Sequence, residues 1–147
     1  MIEIKQIPAS TTYTVRQSVL RVGKPIESCY FEGDNLNTTL HYGMFIATEI
    51  AGVASIFLQG NPIFAETNQF QLRGMAISTT IQKKGFGKLL LDYVEKEVFQ
   101  KNENALIWFN ARASAVDFYK KSNYQIIGQP FEIEEIGTHY TMYKKQI

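Results

Sequence analysis

The segment QFQLRGMAISTTIQKKGFGKLLLDYVEKEVFQ, residues 69–100, joins a strand pattern to a helix pattern through a glycine-rich turn. Its first ten residues, 69–78, alternate apolar and polar side chains, and Gly74 shifts the phase of that alternation, which predicts a strand with a bulge. Residues 87–101 repeat apolar side chains at steps of three and four, which predicts an amphipathic helix. The predicted apolar face holds Leu90, Leu91, Val94 and Val98, and the predicted polar face holds Lys88, Asp92, Glu95 and Lys96.

A second strand and a second helix are predicted after this segment. Residues 105–109, ALIWF, form a wholly apolar run typical of a strand that is covered on both faces. Residues 113–121 predict a helix that ends in two lysines, and Asn123 can close it in the left-handed conformation. The order strand, helix, strand makes the strands at 69–78 and 105–109 parallel, with a right-handed crossover between them.

The remaining patterns supply further strands and one more helix. The predicted elements are strands at 1–8, 40–48, 51–59 and 138–145, a helix at 10–22 and a loop at 23–37. Glu49 and Ile50 form the expected short connection of an antiparallel hairpin.

Size and composition limit the class of protein. A chain of 147 residues fits one domain, and 15 basic against 14 acidic residues argue against a bulk electrostatic grip on nucleic acid. The longest apolar stretch, residues 50–58, is too short for a membrane span, which needs about 20 residues. Cys29 is the only cysteine, so no internal disulfide exists and a cytoplasmic location is expected.

The turn QKKGFGK, residues 82–88, has the composition of an anion site. Gly85 and Gly87 let the backbone bend and let an anion approach its N–H groups, which lie at a helix N-terminus. Lysines 83, 84 and 88 add positive charge, so a pyrophosphate is the natural guest. The spacing fits neither the P-loop nor the dinucleotide fingerprint. A tight turn without a ligand remains the alternative from these residues alone.

Other chemistries find little support. One cysteine and two scattered histidines lack metal-ligand spacing, no G-x-S-x-G elbow is present, and no basic stripe follows the aromatic residues. His41 and His139 are candidate bases, although a structural role is the simpler interpretation of each. Glu134 and Glu135 are candidates for attracting a cationic amine, with solvated surface as the alternative.

Two motifs resemble signatures of one family. The string from Gln82 to Gly87, QKKGFG, resembles the Q/R-x-x-G-x-G/A motif of the GNAT acyltransferase superfamily, and AVDFYKKSNY, residues 115–124, resembles its second signature. The resemblance implies an α/β (α+β) fold in a single N-acetyltransferase domain over residues 1–147. It further implies a mixed, mostly antiparallel, twisted sheet of about six or seven strands with a central parallel pair, flanked by about four helices.

The same resemblance implies the function. The chain would transfer an acetyl group from the cosubstrate acetyl-CoA to a primary amine, by direct attack in a ternary complex and without a metal. The acceptor would be a small-molecule or peptide amine, no nucleic acid or membrane partner is expected, and a homodimer is plausible. The alternatives are a non-catalytic module that binds CoA or a partner protein, and a structural dimerisation module.

Site residues also follow from the resemblance. The parallel strands would separate and hold the pantetheine arm between them, with Tyr119 as the acid for the departing thiolate; a core aromatic residue beside Phe118 is the alternative. The expected cofactor-binding residues are Ala76, Ile77, Gln82, Lys83, Lys84, Gly85, Phe86, Gly87, Lys88, Asn110 and Arg112. Arg112 stands where the family often has an asparagine, and Asn110 lies nearby, so the usual asparagine contact is in question.

Overall fold

A computed structural model of the chain describes residues 1–146. The strands are β1 (Ile2–Ile7), β2 (Leu40–Ile46), β3 (Glu49–Leu58), β4 (Gln69–Ile77), β5 (Leu106–Arg112), β6 (Gln125–Ile133) and β7 (Gly137–Lys145). The α-helices are α1 (Tyr13–Leu20), α2 (Phe86–Lys101) and α3 (Val116–Lys120), with 3-10 turns at Ala9–Thr12, Ile26–Cys29, Thr79–Ile81 and Ala113–Ala115.

The strands form one mixed sheet in the spatial order β1-β2-β3-β4-β5-β7-β6. All neighbouring pairs are antiparallel except β4 and β5, which are parallel. The predicted fold class and the parallel central pair are therefore confirmed. Helix α2 forms the crossover between the two parallel strands, as the order of the elements requires.

The bulge in β4 lies at Gly74, as predicted. The φ angle of Gly74 is 62°, and the pairing of β3 with β4 shifts register there. The core that α2 covers includes Phe70 and Leu72 before the glycine and Met75 and Ile77 after it. The extra residue at the bulge changes the alternation of side chains from even to odd positions, so that the apolar side chains before and after it point to the same face of the sheet.

The two faces of the sheet are covered by different helices. The four residues of the predicted apolar face of α2 are all buried, and they pack in the main core cluster. On the opposite face, Val15 of α1 packs with Val53 of β3 and Ala76 of β4. This arrangement gives the sheet an α1 side and an α2 side.

One residue of the predicted polar face of α2 is in fact buried. Glu95 is only 7% exposed, and its carboxylate accepts a hydrogen bond of 2.7 Å from Lys144 Nζ of β7. Position 95 lies four residues after Leu91 and three before Val98, so it shares their face of the helix. Its burial is compatible with a charge because Lys144 pairs with it.

Several boundaries differ from the predicted ones. The β2–β3 hairpin turns at Ala47, with a φ of 55°, and not at Glu49 and Ile50, which begin β3. Strand β5 extends to Arg112 because β7 pairs with it along its whole length. The helix predicted at 10–22 is a 3-10 turn followed by α1, and that at 113–121 is a 3-10 turn followed by α3.

The predicted left-handed residue is confirmed, whereas one strand was not anticipated. Asn123 has a φ of 71° just after α3. Strand β6 contains Gly128 and Pro130, which interrupt the strand pattern in the sequence, and its pairing with β7 shifts register there. It lies at the edge of the sheet, where a proline is tolerated because no second neighbour needs its missing N–H.

Candidate active site

The parallel strands β4 and β5 separate over most of their length. They pair only through Gln69–Gln71 and Leu106–Trp108, although β4 continues to Ile77 and β5 to Arg112. A cavity of about 530 Å³ lies at the point of separation, lined by residues of both strands. Backbone groups on the β5-facing edge of β4 therefore have no neighbouring strand to bond, and they are available to a ligand.

The predicted anion turn leads directly into α2. Gly85 precedes the helix in the left-handed conformation, with a φ of 89°, and Lys83 has a φ of 64°. The first hydrogen bond of the helix runs from Leu89 N to Gly85 O at 3.2 Å. The N–H groups of residues 86–88 thus have no acceptor inside the helix, and they lie at the positive end of the helix dipole.

The two glycines of the turn have different surroundings. A Cβ on Gly85 would meet no atom within 4 Å, so this position is open for the approach of a ligand. A Cβ on Gly87 would lie 3.2 Å from the ring of Phe118 on α3. Gly87 therefore allows α2 and α3 to pack closely, in addition to its predicted role beside the anion.

Gln82 and the three lysines belong to this turn, whereas Ala76 and Ile77 lie at the end of β4. The side chain of Gln82 donates a hydrogen bond of 2.8 Å to Ile77 O, which ties the turn to the end of β4. Lys83 and Lys84 are exposed. Lys88 is also exposed, but it pairs with Asp92 at 2.8 Å, which offsets part of the charge it was expected to contribute.

Tyr119 lies on α3 and lines the cavity. Its ring centroid is 4.2 Å from that of Phe109 and 5.0 Å from that of Phe118. Tyr119 therefore also packs as an aromatic residue beside Phe118, which was the alternative to its role as the acid. Burial raises the pKa of its phenol from 10 to about 12, because the charged phenolate loses its solvation. The hydroxyl therefore stays protonated at neutral pH.

Asn110 and Arg112 both line the cavity from β5. They are two residues apart on one strand, so they share a face of the sheet. The Oδ1 atom of Asn110 accepts a hydrogen bond of 2.9 Å from Thr141 Oγ1, which leaves its amide N–H groups for other partners. Arg112 is exposed at the end of the strand.

His139 of β7 lines the same cavity and is only 5% exposed. Its ring stacks on Phe131, and Nδ1 lies 2.9 Å from the carbonyl oxygen of Gly137. A carbonyl oxygen accepts only, so Nδ1 carries the proton in this contact. In the neutral ring, Nε2 then has a lone pair that can accept a proton.

The other candidates from the sequence lie outside this site. Both ring nitrogens of His41 are bound, Nδ1 by Ser55 Oγ at 2.6 Å and Nε2 by Asp34 O at 2.8 Å. Burial lowers its pKa from 6.5, so His41 is a neutral structural residue at pH 7. Glu134 and Glu135 are exposed, and neither lines the cavity.

A buried ion pair beside the cavity was not anticipated from the sequence. Arg16 of α1 is fully buried and donates hydrogen bonds of 2.8 and 3.1 Å to the two carboxylate oxygens of Asp34. Asp34 Oδ2 also accepts the N–H of Phe31, whose ring lines the cavity. An arginine on an eight-residue helix and an aspartate in a loop carry no local signal that they will meet.

Two kinds of feature, a membrane-spanning helix and a metal-binding cluster, are absent from residues 1–146, the part of the chain that the structure describes. No helix in this range is long and apolar enough to cross a membrane. No three histidine, cysteine, aspartate or glutamate side chains in it are grouped so that they could hold a metal ion.

Comparison with known proteins identifies the family. A family model described as acetyltransferase (GNAT) domain matches residues 26–146. An uncharacterized N-acetyltransferase of Bacillus subtilis (strain 168), YitI, is 32% identical over 144 residues, which cover 98% of this chain and 96% of the relative. The chain belongs to the GNAT acetyltransferase family and is an acyltransferase enzyme.

Solved structures share the fold. Escherichia coli ElaA matches with a TM-score of 0.78 and 15% identity, over 98% of this chain and 99% of that one. An aminoglycoside 6'-N-acetyltransferase complexed with coenzyme A matches with a TM-score of 0.73 and 14% identity, over 99% of this chain and 97% of that one. At these identities the likeness concerns the fold, and it confirms the sheet that the sequence predicted.

Proposed function

We propose that this enzyme transfers the acetyl group of acetyl-CoA to a primary amine, by direct attack within a ternary complex. The observation that carries the proposal is that the anion cradle, residues 83–88, follows the end of β4 that has separated from β5, and that Gln82 ties it to that end. A donor with a diphosphate at one end and a long, thin arm fits both features. The open space at Gly85, where a side chain would otherwise stand, fits the close approach of a phosphate to the backbone.

Different residues around the gap would bind different parts of the donor. The N–H groups of residues 83–88, with the charges of Lys83 and Lys84, would hold the diphosphate. Backbone groups near Ala76 and Ile77 would bond the arm, and Asn110 and Arg112 would contact the donor from β5. Acetyl-CoA supplies the activated thioester, and the protein supplies orientation.

The reaction removes two protons from the acceptor nitrogen, one before it attacks and one after, and adds one proton to the sulfur. An ammonium group with a pKa of about 10.4 must lose its proton before it can attack, and His139 Nε2 is suited to accept it, directly or through water. The new N–C bond forms as the C–S bond breaks, and the nitrogen then releases its second proton to water. Tyr119 then donates its proton to the departing thiolate, and backbone N–H groups of the bulge near Gly74 are suited to the charge that develops on the carbonyl oxygen.

Saturating acetyl-CoA should raise the melting temperature of the protein. At 100 times the dissociation constant, a ligand adds about 2.7 kcal/mol, or about 5–10 °C for a chain of this size. In the Gly85→Ala variant, the shift should be smaller because the new methyl group obstructs the cradle. Differential scanning fluorimetry measures both values.

A matched control separates binding from backbone strain. Gly128 has a φ of 77° and, like Gly85, has no atom within 4 Å of the position of a Cβ, but it lies on the distant edge strand β6. Gly128→Ala should lose a similar stability, about 1–2 kcal/mol, and keep the full acetyl-CoA shift. An equal shift in both variants, or no shift in the wild type, would contradict the proposed cradle.

Replacing His139 with asparagine should lower kcat about tenfold, because water replaces the base only in part. Asparagine keeps an N–H near the position of Nδ1 that can bond Gly137 O, but it has no counterpart of Nε2. The KM for acetyl-CoA and the melting temperature should change little. Steady-state thiol release with an accepted amine measures kcat, and an unchanged kcat would exclude His139 as the base.

A further inference from the structure

The charge that lines the cavity is of one sign. Three of the lining residues are arginines, Arg21, Arg73 and Arg112, and no aspartate or glutamate lines it within the described part of the chain. A cationic amine would therefore enter a cavity that repels it, unless another part of the acceptor compensates. Arg112 is exposed at the β5 end, whereas the other two meet over one aromatic ring.

Arg73 and Arg21 are held in place by aromatic rings. The guanidinium of Arg73 lies 4.7 Å from the ring centroid of Phe31 and 5.2 Å from that of Phe57. The guanidinium of Arg21 lies 5.6 Å from the same Phe31 ring. Stacked rings cover the flat faces of a guanidinium and leave its N–H edges for hydrogen bonds. The pair is thus already ordered before a ligand arrives.

These two arginines lack an acidic partner. Within residues 1–146, no ion pair shorter than 4.0 Å involves Arg21 or Arg73. The nearest buried carboxylate, Asp34, is already occupied by Arg16. Burial, and then the positive charge of Arg16, lower the pKa of Arg73, and the carboxylates of Asp34 and Glu32 offset this lowering only in part. A half-buried positive charge that is not balanced costs free energy, which a bound anion would offset.

The arginine pair lies on the α1 side of the sheet. Side chains alternate along β4, and Leu72 packs in the core that α2 covers, so Arg73 points to the α1 side. Arg21 directly follows α1. The diphosphate cradle belongs to α2 on the opposite side. The two cations are therefore placed to meet the acceptor and not the diphosphate.

We propose that the acceptor is a primary amine that also carries an anionic oxygen group, a carboxylate or a phosphate, bound by Arg21 and Arg73. The inference rests on the proposed acetyl transfer, because it names the substrate class of the same site. The bidentate N–H edges of an arginine match the paired oxygens of both groups. Polyamines and aminoglycosides, which carry only positive charge, would be poor acceptors.

Matched amine pairs test the preference. Thiol release from acetyl-CoA is measured with tyramine against tyrosine, with ethanolamine against O-phosphoethanolamine, and with glucosamine against glucosamine 6-phosphate. The members of each pair differ by one carboxylate or one phosphate, so the three pairs also distinguish the two groups. We expect kcat/KM to be at least about tenfold higher for the member that carries the carboxylate or phosphate than for the plain amine without it.

Variants locate the effect. Arg73→Gln and Arg21→Gln should each lower kcat/KM about tenfold, mostly through KM, for the member that carries the carboxylate or phosphate, and should not lower it for the plain amine. Lys5→Gln, on the edge strand β1, makes the same change of charge far from the cavity and should have no effect. Arg73 lies between the rings of Phe31 and Phe57, and its replacement can impair folding. In that case the Arg21→Gln variant alone decides the test.

A binding measurement separates this inference from the proposed function. Calorimetric titration with 3-(4-hydroxyphenyl)propionate, a carboxylate without an amine, should show binding that Arg73→Gln and Arg21→Gln weaken and Lys5→Gln does not. Such binding without transfer to any amine would support the anion site and contradict the proposed acetyl transfer. Transfer to the plain amines with equal or greater efficiency would overturn the anion site and leave the acetyl transfer intact. Binding that does not depend on either arginine would also overturn it.

Discussion

Replacing Tyr119 with phenylalanine should lower kcat about 100-fold, with little change in the KM for acetyl-CoA. The phenol lines the cavity, and its raised pKa, about 12, keeps it protonated at neutral pH. Phenylalanine keeps the ring packing against Phe109 and Phe118 but has no proton to give. A positioned acid typically contributes a factor of about 10² to 10⁴, and a thiolate is a good leaving group, so the lower end of this range applies.

Tyr124 provides the matched control for this variant. It packs edge-on against Tyr119 in the same aromatic cluster, with 5.9 Å between the ring centroids, and its buried hydroxyl is not part of the cavity lining. Tyr124→Phe removes the same atom and should leave kcat unchanged. Steady-state thiol release at saturating amine, with melting temperatures for both variants, decides the question. Equal turnover by wild type and Tyr119→Phe would show that Tyr119 is a packing residue and not the acid.

Replacing Asp34 with alanine should destabilise the protein by about 3–5 kcal/mol, because the fully buried charge of Arg16 would lose its partner. For a chain of this length, such a loss lowers the melting temperature by about 6–20 °C. Phe31 would also lose the carboxylate that accepts its backbone N–H. Since Phe31 lines the cavity and carries the Arg21 and Arg73 stack, the KM for the acceptor should rise as well.

Urea unfolding followed by circular dichroism measures this change. Glu32→Ala, which removes an exposed carboxylate two residues away, is the control and should stay within about 0.5 kcal/mol of the wild type. The double variant Arg16→Met, Asp34→Ala should be more stable than Asp34→Ala alone, since it removes the uncompensated charge. A loss below about 1 kcal/mol for Asp34→Ala would show that water or another group compensates Arg16.

The central unit of the fold could be predicted because its signals are local. The bulge at Gly74, the buried face of α2 and the left-handed Asn123 each follow from residues within a few positions of one another. Strand β6 escaped prediction because its sequence has a glycine and a proline where a regular strand has neither. Its place beside β7 is decided by pairing with a strand and not by its own pattern.

The candidate site divides in the same way. The sequence of the turn at residues 82–88 predicts an anion cradle, because glycines, lysines and the start of a helix are adjacent in the chain. The charge of the cavity could not be foreseen. Arg21 lies at the end of α1, Arg73 lies on β4, and Phe31 lies in a loop between them in the sequence, so that only folding brings the three together.

The sequence by itself determined the strand, turn and helix that form the cradle. The spacing of the apolar side chains and the positions of the glycines set these elements through residues that are close together in the chain. Only the tertiary structure decided that β4 and β5 separate after three paired residues, that Glu95 is buried against Lys144, and that arginines without acidic partners line the gap. Burial and charge pairing depend on which distant segments pack together. That choice is made by the free energy of the whole fold and not by any one segment.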